Sequence, residues 1–149
     1  MTAKEPVEIL LAEDDEDDYL LTRDAFKESR LLNHLSLVKD GDELMDYLLH
    51  QGAYQKPTDS PRPVMILLDL NMPRKDGREA LKEIKQHPDL RRIPVVVLTT
   101  SKAEEDVVSS YELGVNSFIR KPVDFHQFTE VIKVWKRYWF EVVELPDRR

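Results

Sequence analysis

The chain has 149 residues, 22 Lys and Arg against 29 Asp and Glu, and a formal net charge of -7, a size that one domain with a proper core accounts for. The acidic balance speaks against a nucleic-acid partner, which demands a basic face, and the lack of cysteine excludes disulfides and thiolate zinc sites. The histidines (His34, His50, His87 and His126) form no i,i+4 ligand pair, no apolar run approaches a membrane span, and no signal-peptide core precedes Glu13 and Asp14, so a soluble, cytoplasmic protein without a membrane partner is expected.

Val7 to Ala12 reads as a first buried strand, ending in the acidic run Glu13 to Asp18. Leu20, Leu21, Ala25 and Phe26 then recur at helical spacing, behind acids that suit a helix N-terminus. Leu35 to Val38 is a short second strand, and Asp40-Gly41-Asp42 turns into a helix carrying Leu44, Met45, Leu48 and Leu49, with Gly52 as its expected stop. Residues 52–63, with three prolines, read as a surface loop. Val64 to Leu68 is an apolar run suited to a strand buried on both faces, and Asp69 stands where it should end, followed by Asn71 and Pro73. A loop through Asp76-Gly77 leads to a helix with Ala80, Leu81 and Ile84.

Pro94 to Thr99 is a fourth strand, and a helix from about residue 103 to 113 stops at Gly114. Ser117 to Arg120 is a short fifth strand before Lys121-Pro122, and Phe128, Val131, Ile132, Trp135 and Trp139 mark one stripe of a last helix. Five strands alternating with five helices predict an α/β fold: a flavodoxin-like, doubly wound, five-stranded parallel sheet in the order 2-1-3-4-5, with helices on both faces. One domain is expected over 1–149, with a core of about 7–136 and a C-terminal extension of about 137–149.

In such a sheet ligands bind beyond the carboxyl ends of the strands. Those ends carry Glu13 and Asp14, Asp69, Thr99 and Lys121 on strands 1, 3, 4 and 5, which are consecutive in the predicted order. Three carboxylates brought together repel one another unless a cation neutralises them. An oxygen-only donor set selects a hard ion, Mg²⁺ first and Mn²⁺ next, and Mg²⁺ commonly takes substrate phosphate as a ligand. Thr99 and Lys121 could hold the remaining phosphoryl oxygens.

The acid pair Glu13-Asp14, the segment Asp69-Leu70-Asn71-Met72-Pro73, Asp76-Gly77, Thr99 and Lys121-Pro122 stand in the order and at the spacing of the response-regulator receiver domain of two-component signalling, which the chain resembles from about residue 7 to 136. The resemblance implies that Asp69 accepts phosphate. It implies that Glu13, Asp14, Asp69 and the Asn71 backbone carbonyl organise Mg²⁺, and that Thr99 and Lys121 contact the phosphoryl group. It also implies a cis Lys121-Pro122 bond and gives Phe118 the aromatic switch position. The donor would be a sensor histidine kinase. The chain would assist its own phosphorylation and dephosphorylation rather than act as a separate enzyme. The loop 52–63, the ending after Trp135, Lys75 to Glu79 and Arg92 to Leu98 resemble the small single-domain response regulators that partner cyanobacterial phytochromes. No output domain is expected after residue 140.

Singly, each residue has a plainer explanation. Asp69 and Thr99 could simply end strands, Lys121 could be exposed, Phe118 could be core, and Asp15 to Asp18 are read as a solvated helix start. Five matches in order outweigh these. The competing function is a Mg²⁺-dependent aspartate-nucleophile phosphatase or phosphotransferase, which usually carries a second Asp two residues after the nucleophile, where this chain has Asn71. A degenerate receiver used only for binding would not need the intact acids, and a nucleotide-binding domain would need a Gly-rich loop after the first strand. Val134, Tyr138, Phe140, Val142 and Val143 are apolar residues that a five-stranded sheet leaves uncovered, so a homodimer is expected. The resemblance implies contact through the fourth helix, fifth strand and fifth helix, with the tail joining in. Folding back of residues 138–146 is the alternative.

Overall fold

The structure, a computed structural model, describes residues 7–28, 33–56, 58, 60–110 and 117–120. Five strands, β1 (Val7–Ala12), β2 (Asn33–Val38), β3 (Met65–Asp69), β4 (Val95–Thr99) and β5 (Ser117–Arg120), form one parallel sheet in the order β2-β1-β3-β4-β5. This is the expected topology. The described helices are α1 (Glu16–Glu28), α2 (Gly41–Leu49), α3 (Gly77–Gln86) and α4 (Lys102–Ser110). The last helix, the tail, Gly114 and Lys121-Pro122 lie outside the described residues.

The strands are straightforward consequences of their composition. β3 and β4 are buried at every position, as apolar central strands covered on both faces must be. Alternate residues serve opposite cores. Leu10, Ala12, Ile66, Leu68 and Val97 pack with Leu44 and Leu48 of α2, Leu81 and Ile84 of α3 and Val108 of α4. Ile9, Leu11, Leu67, Val96, Leu98 and Ile119 form the other core, with Tyr19 of α1 against it. Helix starts follow the polar residues before them: Asp40 accepts a hydrogen bond from Glu43 N at 2.8 Å and Asp76 from Arg78 N at 2.6 Å. Among the described residues no helix is long and apolar enough to cross a membrane.

One local expectation is corrected and a second, the surface loop, is extended. α2 does not run to Gly52; it ends at Leu49, and His50 is the left-handed cap, with φ 56° and ψ 48° and its N–H donating to the Asp46 and Tyr47 carbonyls. Gly52 instead opens a short 3₁₀ turn, Gly52–Tyr54. The loop 52–63 is not merely a surface excursion. Ser60 is fully buried and pairs with His50 Nδ1 at 2.9 Å, and Tyr54 donates to Glu43 at 2.6 Å. Tyr47 donates to the Pro61 carbonyl at 2.9 Å. That phenol also meets Glu8, a buried acid in β1 whose carboxylate takes a hydrogen bond from Ser36. Burial and the Glu8 charge push the Tyr47 phenol well above its usual range.

Candidate metal and phosphoryl site

The register of the sheet builds the site. β1 and β3 are neighbours with Ala12 opposite Leu68, so the next residues, Glu13 and Asp69, emerge at the same level. The Glu13 N–H donates to the Val38 carbonyl at 2.9 Å, which carries the β1–β2 ladder one step past the strand. One carboxylate oxygen from each of Glu13, Asp14 and Asp69 lies within 4.8 Å of the other two. Glu13 and Asp69 are each 1% exposed, while Asp14 faces solvent.

Charges at that separation repel by about 3 kcal/mol per pair at an effective dielectric of about 20. Two of these carboxylates are out of water, so a divalent cation is the natural neutraliser, and the all-oxygen donor set fits a hard one. The acids are held in place by the turns that follow them. Asp69 Oδ1 accepts from the Asn71 N–H at 3.1 Å, and Glu13 Oε2 accepts from the Asp15 N–H at 3.3 Å. Asp15 then caps α1 by accepting from Asp18 N at 3.0 Å; of the solvated helix start expected over Asp15 to Asp18, Asp15 to Asp17 are exposed and Asp18 is half-buried.

On the other side of Asp69, β3 pairs with β4 so that Asp69 sits opposite Leu98. Thr99 follows, fully buried, and its hydroxyl donates to Glu105 of α4 at 3.2 Å. Phe118 is half-buried against the core that α2, α3 and α4 share. Lys121, one residue past Arg120 at the end of β5, lies outside the described residues.

A rim of side chains centred on Glu104, a residue not among those expected here, joins the loops around this site. Glu104, in the first turn of α4, accepts from Thr100 N at 2.5 Å, Thr100 Oγ1 at 2.6 Å, Asn71 Nδ2 at 2.9 Å and an Arg78 nitrogen at 3.1 Å. Burial pushes the Glu104 carboxyl up, but the Thr100 and Asn71 hydrogen bonds and the Arg78 charge together hold it below the ordinary carboxylate range. Arg78 also grips Asp76 at 3.2 Å, so the starts of α3 and α4 are tied together over the end of β3. Part of this was signalled: Ser101-x-x-Glu104 has capping-box spacing, and Ser101 Oγ accepts from Glu104 N at 3.2 Å. A cavity of about 420 Å³ lies at the opposite edge of the sheet, lined by Tyr47, His50, Arg62 and Ile93 among others, and none of its lining residues belongs to the acid cluster.

An acid cluster of this kind at the carboxyl ends of β1 and β3, in a 2-1-3-4-5 sheet, defines a receiver-type domain. Residues 9–133 match the family described as response regulator receiver domain, and the chain belongs to that family of signalling proteins. Over 141 residues it is 48% identical to response regulator Rcp1 of Synechocystis sp., covering 95% of this chain and 94% of that protein. The crystal structure of the Mn(2+)-bound form of Rcp1 is similar at a TM-score of 0.79 and 47% identity, covering 95% of this chain and 100% of that one. The phosphorylated cyanobacterial phytochrome response regulator RcpA is similar at a TM-score of 0.80 and 42% identity, covering 95% and 99%.

Proposed function

We propose that this receiver is a phosphorylation switch in which Asp69 takes a phosphoryl group from the phosphohistidine of a sensor histidine kinase, one of the phytochrome type. The observation that carries the reading is a buried Asp69 at the end of β3 with Glu13 and Asp14 oxygens within 4.8 Å. An Asp69 carboxylate oxygen attacks phosphorus, a P–O bond forms, and the P–N bond to the imidazole breaks with its electron pair staying on nitrogen. Glu13, Asp14, Asp69 and the Asn71 carbonyl would hold Mg²⁺, or Mn²⁺ in its place. Such an ion, when bound, neutralises charge on the transferred group. Thr99 and Lys121 bind phosphoryl oxygens, and Phe118 follows Thr99 to change the face formed by α4, β5 and the helix expected after it.

The relatives named after phytochrome regulators support the choice of kinase, and Rcp1 bound to Mn(2+) supports the class of metal. In this reading the chain works in the cytoplasm as one receiver domain, assists its own phosphorylation, contacts neither nucleic acid nor membrane, and forms a homodimer through the α4–β5 face and the C-terminal region. A small-molecule phosphatase would need a proton donor at Asn71; an amide cannot supply one, and its Nδ2 is held by Glu104 at 2.9 Å.

The test is transfer from a phosphorylated kinase, with the labelled residue identified by mass spectrometry. Label should appear on Asp69, require a divalent ion, and vanish in Asp69→Asn with the fold retained. Full labelling of that variant, or labelling in excess chelator, would overturn the proposal. Sedimentation of the full chain against a chain lacking residues 138–149 tests the dimer; a monomer at all concentrations, or a dimer indifferent to the deletion, rejects it.

A further inference from the structure

Thr99 and Arg120 are opposite each other in the β4–β5 register, and both reach the same atom of α4. Thr99 Oγ1 donates to Glu105 Oε2 at 3.2 Å, and Arg120 donates to that oxygen at 2.9 Å. The three residues therefore form one node linking the end of β4, the end of β5 and the first turns of α4. Phe118 lies on the Arg120 face of β5, because residues two apart in a strand point the same way.

A threonine hydroxyl carries a single proton to donate. While Thr99 gives it to Glu105, it cannot give it to an oxygen on Asp69. We propose that Glu105 is a positioning residue that latches Thr99 in the resting state, so that phosphorylation is a contest between the Glu105 carboxylate and the phosphoryl group for one hydroxyl proton. This rests on the function proposed above. Arg120 makes the latch releasable. The Glu105 side chain is only 17% exposed, and a carboxylate in that setting is costly to leave without donors. When Thr99 turns away, Arg120 still satisfies Glu105, and the carboxylate is free to follow the guanidinium. Release of Thr99 thus loosens α4 from β4 while leaving it tied to β5, and passes the event at Asp69 to the face on which Phe118 sits.

The latch predicts opposite signs for its two partners. Glu105→Ala frees Thr99 in the resting chain, raising the population competent to bind a phosphoryl group. Arg120→Gln removes the guanidinium charge, which leaves Glu105 more dependent on Thr99 and tightens the latch. The measurement is the rate of Asp69 phosphorylation in the full chain by acetyl phosphate with Mg²⁺, which needs no kinase. Glu105→Ala should react roughly three- to tenfold faster than wild type, the range set by losing one hydrogen bond of ordinary net strength. Arg120→Gln should react more slowly than wild type. Glu105→Gln, a weaker acceptor of the same size, should fall between wild type and Ala, and serves if the Ala variant folds poorly. Removing a negative charge could also speed the approach of an anionic donor, so the decisive comparison is made on Thr99→Val. There Glu105→Ala should bring no acceleration. Amide spectra give a second readout: in unphosphorylated Glu105→Ala, the Phe118 resonance should move toward its position in phosphorylated wild type. Equal acceleration on the Thr99→Val background, an Arg120→Gln rate matching that of Glu105→Ala, or a Glu105→Ala rate equal to wild type would overturn the latch alone. A wild-type chain that takes no phosphoryl group from acetyl phosphate or from any kinase would overturn the proposed function and the latch with it.

Discussion

Gly77 packs against the backbone of Asp69 so closely that a β carbon at residue 77 would stand 2.3 Å from the Asp69 carbonyl oxygen and 2.7 Å from Leu70 Cα. The Gly77 N–H donates to the Leu70 carbonyl at 3.1 Å, which locks the start of α3 onto the end of β3. The carboxylate at the centre of the site is therefore positioned by a helix that can approach only because residue 77 lacks a side chain.

Gly77→Ala should destabilise the fold by about 2 kcal/mol or more, since backbone rather than a flexible side chain must yield. It should also slow Asp69 phosphorylation, because the displaced atoms belong to the residue proposed as the nucleophile. Urea unfolding and phosphorylation kinetics on the same preparation test both. A stable variant with the wild-type rate would show that the contact relaxes at no cost to the site.

Divalent-ion binding should depend on all three acids. Glu13→Gln and Asp14→Asn each remove a hard oxygen donor from the set within 4.8 Å, and each should weaken Mn²⁺ binding by roughly tenfold or more, measured by titration calorimetry. The charge of the cluster also opposes itself without an ion, so Mn²⁺ should raise the melting temperature of wild type more than that of either variant. Equal affinities across the set would place the ion elsewhere.

The Glu104 rim gives a pH dependence of definite sign. Its folded-state pKa is depressed from 4.5, so the stabilisation it provides is complete above that value and is lost as pH falls through the lower folded-state value. Glu104→Gln should therefore be less stable than wild type at pH 6, by about 1–2 kcal/mol for charge-assisted hydrogen bonds weakened to neutral ones. At acidic pH well below 4.5 the gap should narrow, because the wild-type carboxyl loses its charge as pH falls through its depressed folded-state value. A constant gap at both pH values, from urea midpoints, would mean the carboxylate charge contributes nothing to the rim.

Thr99→Ala should still be phosphorylated, more slowly, since Asp69 and the acids beside it are untouched. Its amide spectra should lack the phosphorylation-dependent change at Phe118, because no hydroxyl remains to move. The same change in wild type and variant would remove Thr99 from the route to β5.

The order of the sheet and the presence of the acid cluster were already contained in the amino-acid sequence. Apolar runs such as Val64 to Leu68 and Pro94 to Leu98 specify buried strands by composition alone, and alternation with helical stripes leaves one natural winding. Once that winding is given, Glu13, Asp14, Asp69 and Thr99 must gather at one edge, since each ends a strand or follows its end within two residues. The corrections came where two local signals compete or where distance along the chain is large. Gly52 is the better left-handed residue, yet His50 takes the helix cap, because its ring is tied to buried Ser60 ten residues on. The Pro-rich 52–63 segment has the composition of a loose loop, but Tyr47, Tyr54 and His50 pin it through bonds that no periodicity encodes. The partners of Glu104 and Glu105 likewise come from the loop after β3 and from α3, β4 and β5. As sequence, these two acids are an ordinary helix start. Only packing brings Asn71, Arg78, Thr99 and Arg120 within 3.2 Å of them, because a hydrogen bond depends on a separation in space that strand register and helix placement decide together.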